Sequence, residues 1–237
     1  PYFGRLLKNT FMISGLTILF GFPAPIILAL MINEVKNSAF KRTVQTITYM
    51  PYFISMVVLC GLLKTFCMQD GLFAQIAVLF GGKAQNYLAN PAYFRTIYVL
   101  SDIWSGIGWN SIIYLAALSS IDQEQYEAAR VDGANRFEQM IHITLPGLVP
   151  TIMVLFILRM GNILNVGYEK ILLLYNSATY STADVISTYT YRLSFGGSGN
   201  PMYSKSTAIG LFNTIINVFF LMLTNMISKK ATDAGLF

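Results

Sequence analysis

Long apolar runs alternate with shorter polar ones along this chain, and the alternation predicts a bundle of helices. Five runs stand out, at about 9–32 (span A), 43–66 (span B), 92–119 (span C), 146–166 (span D) and 207–228 (span E). Each approaches or exceeds the ~20 predominantly apolar residues with which a helix crosses a bilayer. Asn9 and Thr10 are suited to cap span A, and Pro23 and Pro25 predict a kink within it. Pro51 predicts another kink, in span B. The polar intervals are a basic connector with Lys36, Lys41 and Arg42, a glycine-containing segment at 67–91, a loop at 120–145 and a tyrosine-rich segment at 167–206. The expected architecture is all-α: one transmembrane domain over 1–237 with about five spans.

Composition agrees with the pattern. Of 237 residues, 54% are hydrophobic and only 11% charged, where soluble domains carry about 25% charge. The net charge of +5 is the kind that attracts nucleic acid, but the basic residues lie around span ends and in loops, so membrane orientation accounts for them better. With the 120–145 loop inside and the spans alternating, the inner segments hold Lys36, Lys41, Arg42, Arg130, Arg136, Lys229 and Lys230. The longer outer segments hold Arg5, Lys8, Lys83, Lys170, Arg192 and Lys205. Basic density is then about twice as high inside, as the positive-inside rule requires. The chain starts at Pro1 without a charged leader, and a sixth span before it is expected. On one helix Cys60 and Cys67 would stand about 10.5 Å apart, beyond disulfide reach. His142 has no ligand cluster at metal spacing, so no metal is expected.

The most informative polar stretch is YEAARVDGANRFEQMIHITLP, residues 126–146. It reads as helix, break, helix, stop. Ala128 and Ala129 favour helix and leave room for a neighbouring surface. Gly133, after Asp132, offers a sharp turn at little steric cost. Phe137, Met140, Ile141 and Thr144 recur at three and four and predict one apolar face. Pro146 suits the first turn of the helix that follows.

Glu127-Ala128-Ala129, three residues, Gly133, nine residues, then Ile143, Leu145 and Pro146 resembles the EAA motif of permease subunits of binding-protein-dependent ABC importers, and all seven fixed positions match. The resemblance implies a cytoplasmic loop forming a short coupling helix that docks on a separate ATPase. Glu127, Ala128, Ala129, Arg130, Asp132, Gly133, Arg136 and Glu138 are then the expected coupling residues. No Walker A sequence occurs, so ATP is expected to be bound by partner subunits and the chain itself to need no cofactor. The implied partners are a second, related permease subunit, two ATPase subunits and an extracytoplasmic substrate-binding protein, all at the cell membrane. ATP-driven closure of the ATPase pair would carry the docked helices and flip the spans between inward- and outward-facing states.

The translocation pathway requires polar and aromatic groups within spans. Span C carries Asp102, Trp104, Gly106, Gly108, Trp109, Asn110 and Ser111. The two tryptophans either stack on sugar faces or anchor the span at the interface. In span D, Arg159, Asn162 and Asn165 form a polar strip. Arg159 either lines the cavity and favours an acidic sugar or pairs with Asp102, Glu169 or a partner. The chain is most similar to the sugar-permease branch. Tyr189-Thr190-Tyr191-Arg192 with Phe195-Gly196-Gly197 is similar to the maltose type, and Leu174-Tyr175-Asn176 with Ala183-Asp184-Val185 to the polysaccharide type. By that similarity sugar contacts fall at Gly106, Trp109, Asn162 and Asn165, with Asn110 beside them. The outer segments would receive the binding protein, and Tyr168, Tyr175, Tyr180, Tyr189, Tyr191 and Tyr203 would serve as an interfacial belt or a docking surface. Two other readings remain open: an importer for a non-sugar solute, and a stand-alone secondary transporter, for which Asp102 is the one coupling carboxylate within a span.

Overall fold

A computed structural model describes residues 2–196, 200–232 and 235–236; Gly197 of the outer segment lies outside them. The described residues are helical almost throughout, and none is in a strand. Among the described residues, four stretches are long and apolar enough to cross a membrane: Tyr2–Glu34, Met56–Leu79, Arg136–Met160 and Tyr203–Lys230. Span C, helix α6 at Pro91–Ser119, is equally long but more polar, and it packs against more of the other elements than any other helix does.

Span A begins earlier than the sequence predicts. Helix α1 (Tyr2–Leu16) passes through a π turn at Thr17–Gly21 into α2 (Pro23–Glu34). The wider turn accommodates two prolines that supply no N–H to the turn before them. Asn9 and Thr10 are therefore not a cap but buried mid-helix residues. Asn9 Nδ2 donates to the carbonyls of Asp184 (2.9 Å) and Ser181 (3.1 Å), and Thr10 Oγ1 accepts from the Ile186 N–H (3.1 Å).

Span B is not a kinked helix but two. Helix α3 (Ser38–Tyr49) ends in a 3-10 turn at Met50–Phe53, Ile54 is extended, and α4 starts at Met56 with Ser55 as its cap. Pro51 disfavours helix in the residue before it and cannot donate. Both cysteines are free and buried on α4. Helix α5 (Leu72–Leu79) follows.

After α6 come α7 (Gln123–Val131) and α8 (Arg136–Gln139). A π turn at Met140–Thr144 then leads into α9 (Leu145–Met160). The expected stop at Pro146 is thus a continuation, with proline in the first turn of α9. The π turn also rotates the predicted apolar face: Thr144 is buried and Met140 half-buried, while Phe137 and Ile141 are exposed.

The segment at 167–206 is not a surface loop. It folds into α10 (Tyr168–Leu174), α11 (Tyr180–Ala183) and α12 (Ile186–Phe195) before α13 (Tyr203–Thr232). Ile171, Leu174, Ala183 and Val185 join Ile13, Leu59, Phe94 and Tyr98 in one apolar cluster. A second cluster, Ala29, Tyr114, Leu118 and Leu148, lies toward the opposite end, near the 120–145 loop. The three short helices are pinned by buried ionic contacts. Arg192 donates to both oxygens of Asp184 (2.8 Å each), which also accept from Tyr2 (2.7 Å) and Thr188 (2.8 Å). Burial alone would raise the Asp184 pKa, but the hydrogen bonds from Arg192, Tyr2 and Thr188 outweigh it and hold it below the usual aspartate value. Lys170 and Arg192, counted above among the outer charges, are therefore both engaged in ion pairs.

Candidate functional site: a mid-span cavity and a hinged elbow

The cavity starts from the middle of α6. Asp102, Gly106 and Asn110 recur every four residues, so they share one face of the helix. Ser105 is the central residue of its 29, so this face lies near mid-depth. Opposite stands the π turn of the first span, with Thr17, Gly21 and Pro25 on the wall, and α9 closes the side with Leu155 and Arg159. The cavity volume is about 220 Å³. A second cavity of about 250 Å³ shares Thr17, Asp102 and Arg159 with the first and continues to Ser14, Asn162, Asn165 and Gly167. The two cavities adjoin at those three residues and are together termed the passage, with lining that runs from α6 to Gly167 at the start of the short helices.

Of the residues expected on the pathway, the passage brings together Gly106, Asn110, Arg159, Asn162 and Asn165. Trp109 is not among its lining residues. It is one position out of the Asp102–Asn110 stripe, stacks flat on Tyr52 (4.7 Å between centroids) and meets the edge of Phe53. Trp104 faces a separate apolar groove with Leu62, Phe66 and Leu100. Asn165 Nδ2 donates to Asn162 Oδ1 (3.1 Å), and Asn162 Nδ2 to the Leu158 carbonyl (3.0 Å), so the two amides are held in line.

Two glycines of α6 differ in what they permit. A Cβ on Gly108 would collide with the Thr48 carbonyl and sit 2.8 Å from the Tyr49 nitrogen, so α3 and α6 cross there backbone to backbone. A Cβ on Gly106 would meet only Asn110 Nδ2, at 3.1 Å.

Asp102 does not pair with Arg159. Its partner is Lys170, with 3.3 Å between Nζ and Oδ1, and Lys170 also donates to the Tyr98 carbonyl (3.0 Å) and lies over the Tyr98 ring. Lys170 escapes a reading of the sequence because it sits in a segment that looks like loop. The signal was present: the residue is followed directly by Ile171-Leu172-Leu173-Leu174. Among the described residues, Arg159 has no carboxylate within ion-pair distance.

The elbow at 120–145 is built from local rules. Asp122 caps α7 through the Glu124 N–H (3.0 Å). The helix ends in a Schellman motif: Ala134 N–H donates to the Ala129 carbonyl (2.8 Å) and Gly133 N–H to that of Arg130 (3.1 Å), with Gly133 at φ +84°. Asn135 and Glu138 then form a capping box at the start of α8. One tie braces the elbow against the residue that caps α9, and two join it to the spans. Tyr126 shares a hydrogen bond with Thr144 (3.0 Å), Arg136 pairs with Glu34 at the end of α2 (3.0 Å), and Ile121 packs against the face of Gly147. Glu127, Ala128, Arg130, Asp132 and Gly133 are exposed and Ala129 is half-buried. Val131 and Phe137, at 88% and 64% exposure, add an apolar surface; Phe137 belongs to the predicted apolar face, whereas Val131 has no counterpart in that pattern.

Residues 21–233 match the family described as binding-protein-dependent transport system inner membrane component. The chain is 43% identical to Protein LplB of Bacillus subtilis (strain 168) over 238 aligned residues, covering all of this chain and 74% of that protein. It is 41% identical to the polygalacturonan/rhamnogalacturonan transport system permease protein YteP of the same organism, over all of this chain and 73% of that one. Among solved structures, a chain of a bacterial ABC transporter for import of the acidic polysaccharide alginate superposes with a TM-score of 0.91 at 47% identity, covering 96% of this chain and 79% of that chain. A chain of the alginate transporter with an alginate pentasaccharide-bound periplasmic protein gives 0.93 at 47% identity, covering 98% and 80%. A methionine ABC transporter chain, at 15% identity and a TM-score of 0.59, shares the fold alone.

Proposed function

The chain belongs to the family of inner membrane components of binding-protein-dependent transport systems, and from that premise we propose that it is the transmembrane subunit of an ATP-driven importer for an oligosaccharide or polysaccharide fragment. The observation that carries the cargo is the passage at mid-span. Its wall offers Asn110, Asn162, Asn165 and Arg159 beside Gly106, a set of fixed donors and acceptors that suits a polyhydroxylated chain. The likeness at 41–47% identity to permeases and transporters whose names specify polysaccharides supports the same cargo.

The subunit binds no nucleotide. It works with a second permease subunit, two ATPase subunits and an extracytoplasmic binding protein, and the elbow is the docking part. Exposed Val131 and Phe137, flanked by Glu127, Arg130 and Asp132, supply an apolar contact with a polar rim. Movement of the elbow reaches α9 through Tyr126 and Thr144 and the first span through Arg136 and Glu34. Both elements line the passage, so one displacement reaches both walls.

The test is co-purification of the chain from native membrane with its partners, followed by ATP hydrolysis in proteoliposomes against a panel of saccharides and non-sugar solutes. Stimulation by a saccharide through the binding protein is the expected result. Stimulation by an amino acid or inorganic solute alone would overturn the cargo, and transport by this chain without an ATPase would overturn the whole reading.

A further inference from the structure

The wall of the passage carries two ionic side chains, Asp102 and Arg159. Only one of them is neutralised. Lys170 is 2% exposed and reaches Asp102 from behind the wall, while the Asp102 side chain is 40% exposed. Arg159 is exposed and has no carboxylate partner among the described residues. Among the described residues the passage therefore presents one cation without a carboxylate partner, carried on the last turn of α9, and an ionisable group lining a transmembrane cavity marks a functional position.

Resting on the carbohydrate reading, we propose that the passage is selective for anionic glycans, and that Arg159 receives the carboxylate of a uronate unit. The guanidinium is a planar fork that meets a carboxylate with two parallel hydrogen bonds. Asn162 and Asn165 follow Arg159 along the same wall. Asn165 spends one amide hydrogen on Asn162, which leaves its carbonyl and second N–H for the hydroxyls of an adjoining sugar. Lys170 has a separate part in this selection. By balancing Asp102 it removes the negative charge that would repel a passing uronate.

The experiment uses the assembled transporter with its binding protein in proteoliposomes. Uptake of an oligouronate is compared with uptake of the same oligosaccharide after its carboxyls are reduced to hydroxymethyl groups. The ratio is read in the wild type, in Arg159→Gln and in Arg159→Lys, with one binding protein throughout, so selection by that protein cancels. Arg159→Gln is expected to narrow the acid-to-neutral ratio by about tenfold or more, the scale of one charged hydrogen-bond pair. Arg159→Lys, which keeps the charge and loses the fork, falls between. If the glutamine variant does not assemble, the lysine variant carries the test. An unchanged ratio, or an equal fall for both glycans, overturns the proposal. Uptake of neither glycan by the wild type overturns the carbohydrate reading itself, and the proposal with it.

Discussion

Lys170 and Asp102, 68 residues apart, meet with 3.3 Å between Nζ and Oδ1, and one of them is buried while the other faces the passage. The asymmetry has a measurable consequence. Asp102→Asn strands a cation that is 2% exposed, a change costing about 3 kcal/mol. Lys170→Met leaves a carboxylate that water in the passage reaches, and is expected to cost about 1 kcal/mol. Thermal unfolding of the two variants in detergent, with the double variant closing the cycle, measures the difference. Equal losses would show that both charges are solvated alike.

Gly108→Ala is expected to destabilise the bundle by about 1–3 kcal/mol, because the crossing of α3 and α6 has to open. Gly106→Ala meets a single flexible amide and should unfold within a degree or two of wild type. Its effect should fall on uptake, since the added methyl crowds Asn110. Paired melting curves and uptake rates separate the two roles.

At Gly133 the constraint is backbone conformation, not space. A Cβ there meets nothing within 4 Å, but φ is +84°. Gly133→Val is expected to undo the Schellman turn at a cost of about 1–2 kcal/mol and to abolish saccharide-stimulated ATP hydrolysis while insertion persists. Gly133→Asn, which tolerates the left-handed region, should keep most of the stimulation. Loss in both variants would mean that the ATPase surface contacts the glycine itself.

Asp184 gives a pH dependence with a definite sign. Its pKa is depressed in the folded chain, so its contribution is present above the unfolded aspartate value, about 3.9, and is lost as pH falls through the lower folded value. Asp184→Asn should therefore be less stable than wild type at neutral pH, and the gap should close at acid pH. Melting temperatures of the two proteins between pH 7 and pH 3 test this. A gap independent of pH would assign the loss to packing alone.

Much of this was legible in the sequence, for identifiable reasons. The elbow is written in local chemistry: Asp122, Gly133, Asn135 and Glu138 each act on backbone within five residues. The passage stripe is a matter of spacing, since Asp102, Gly106 and Asn110 recur every four residues, and the same spacing separates Trp109 from it. The short helices were not legible. Their stability comes from pairings across long separations, such as Asn9 with Asp184 and Lys170 with Asp102, and no local pattern announces those. Polar residues in a tyrosine-rich stretch look like loop until their distant partners are known. The break at Pro51 was visible as a proline, but whether it bends a helix or divides it depends on the Ser55 cap and on the close crossing at Gly108.

The π turn at Thr17–Gly21 has a consequence for how the first span tolerates change. Leu6, Asn9, Thr10, Ile13 and Ser14 before it, and Pro25, Ala29 and Ile32 after it, are all buried. At 100° per residue an unbroken α-helix would set those two groups about a quarter-turn out of phase; the under-wound turn restores the phase. Inward-facing side chains aside, the spelling of the five letters from 17 to 21 is therefore loosely held, but their number is tied to the winding. Losing one would let the helix wind regularly with Ala29 and Ile32 still on the core side, whereas the same five residues wound regularly would turn both away from it.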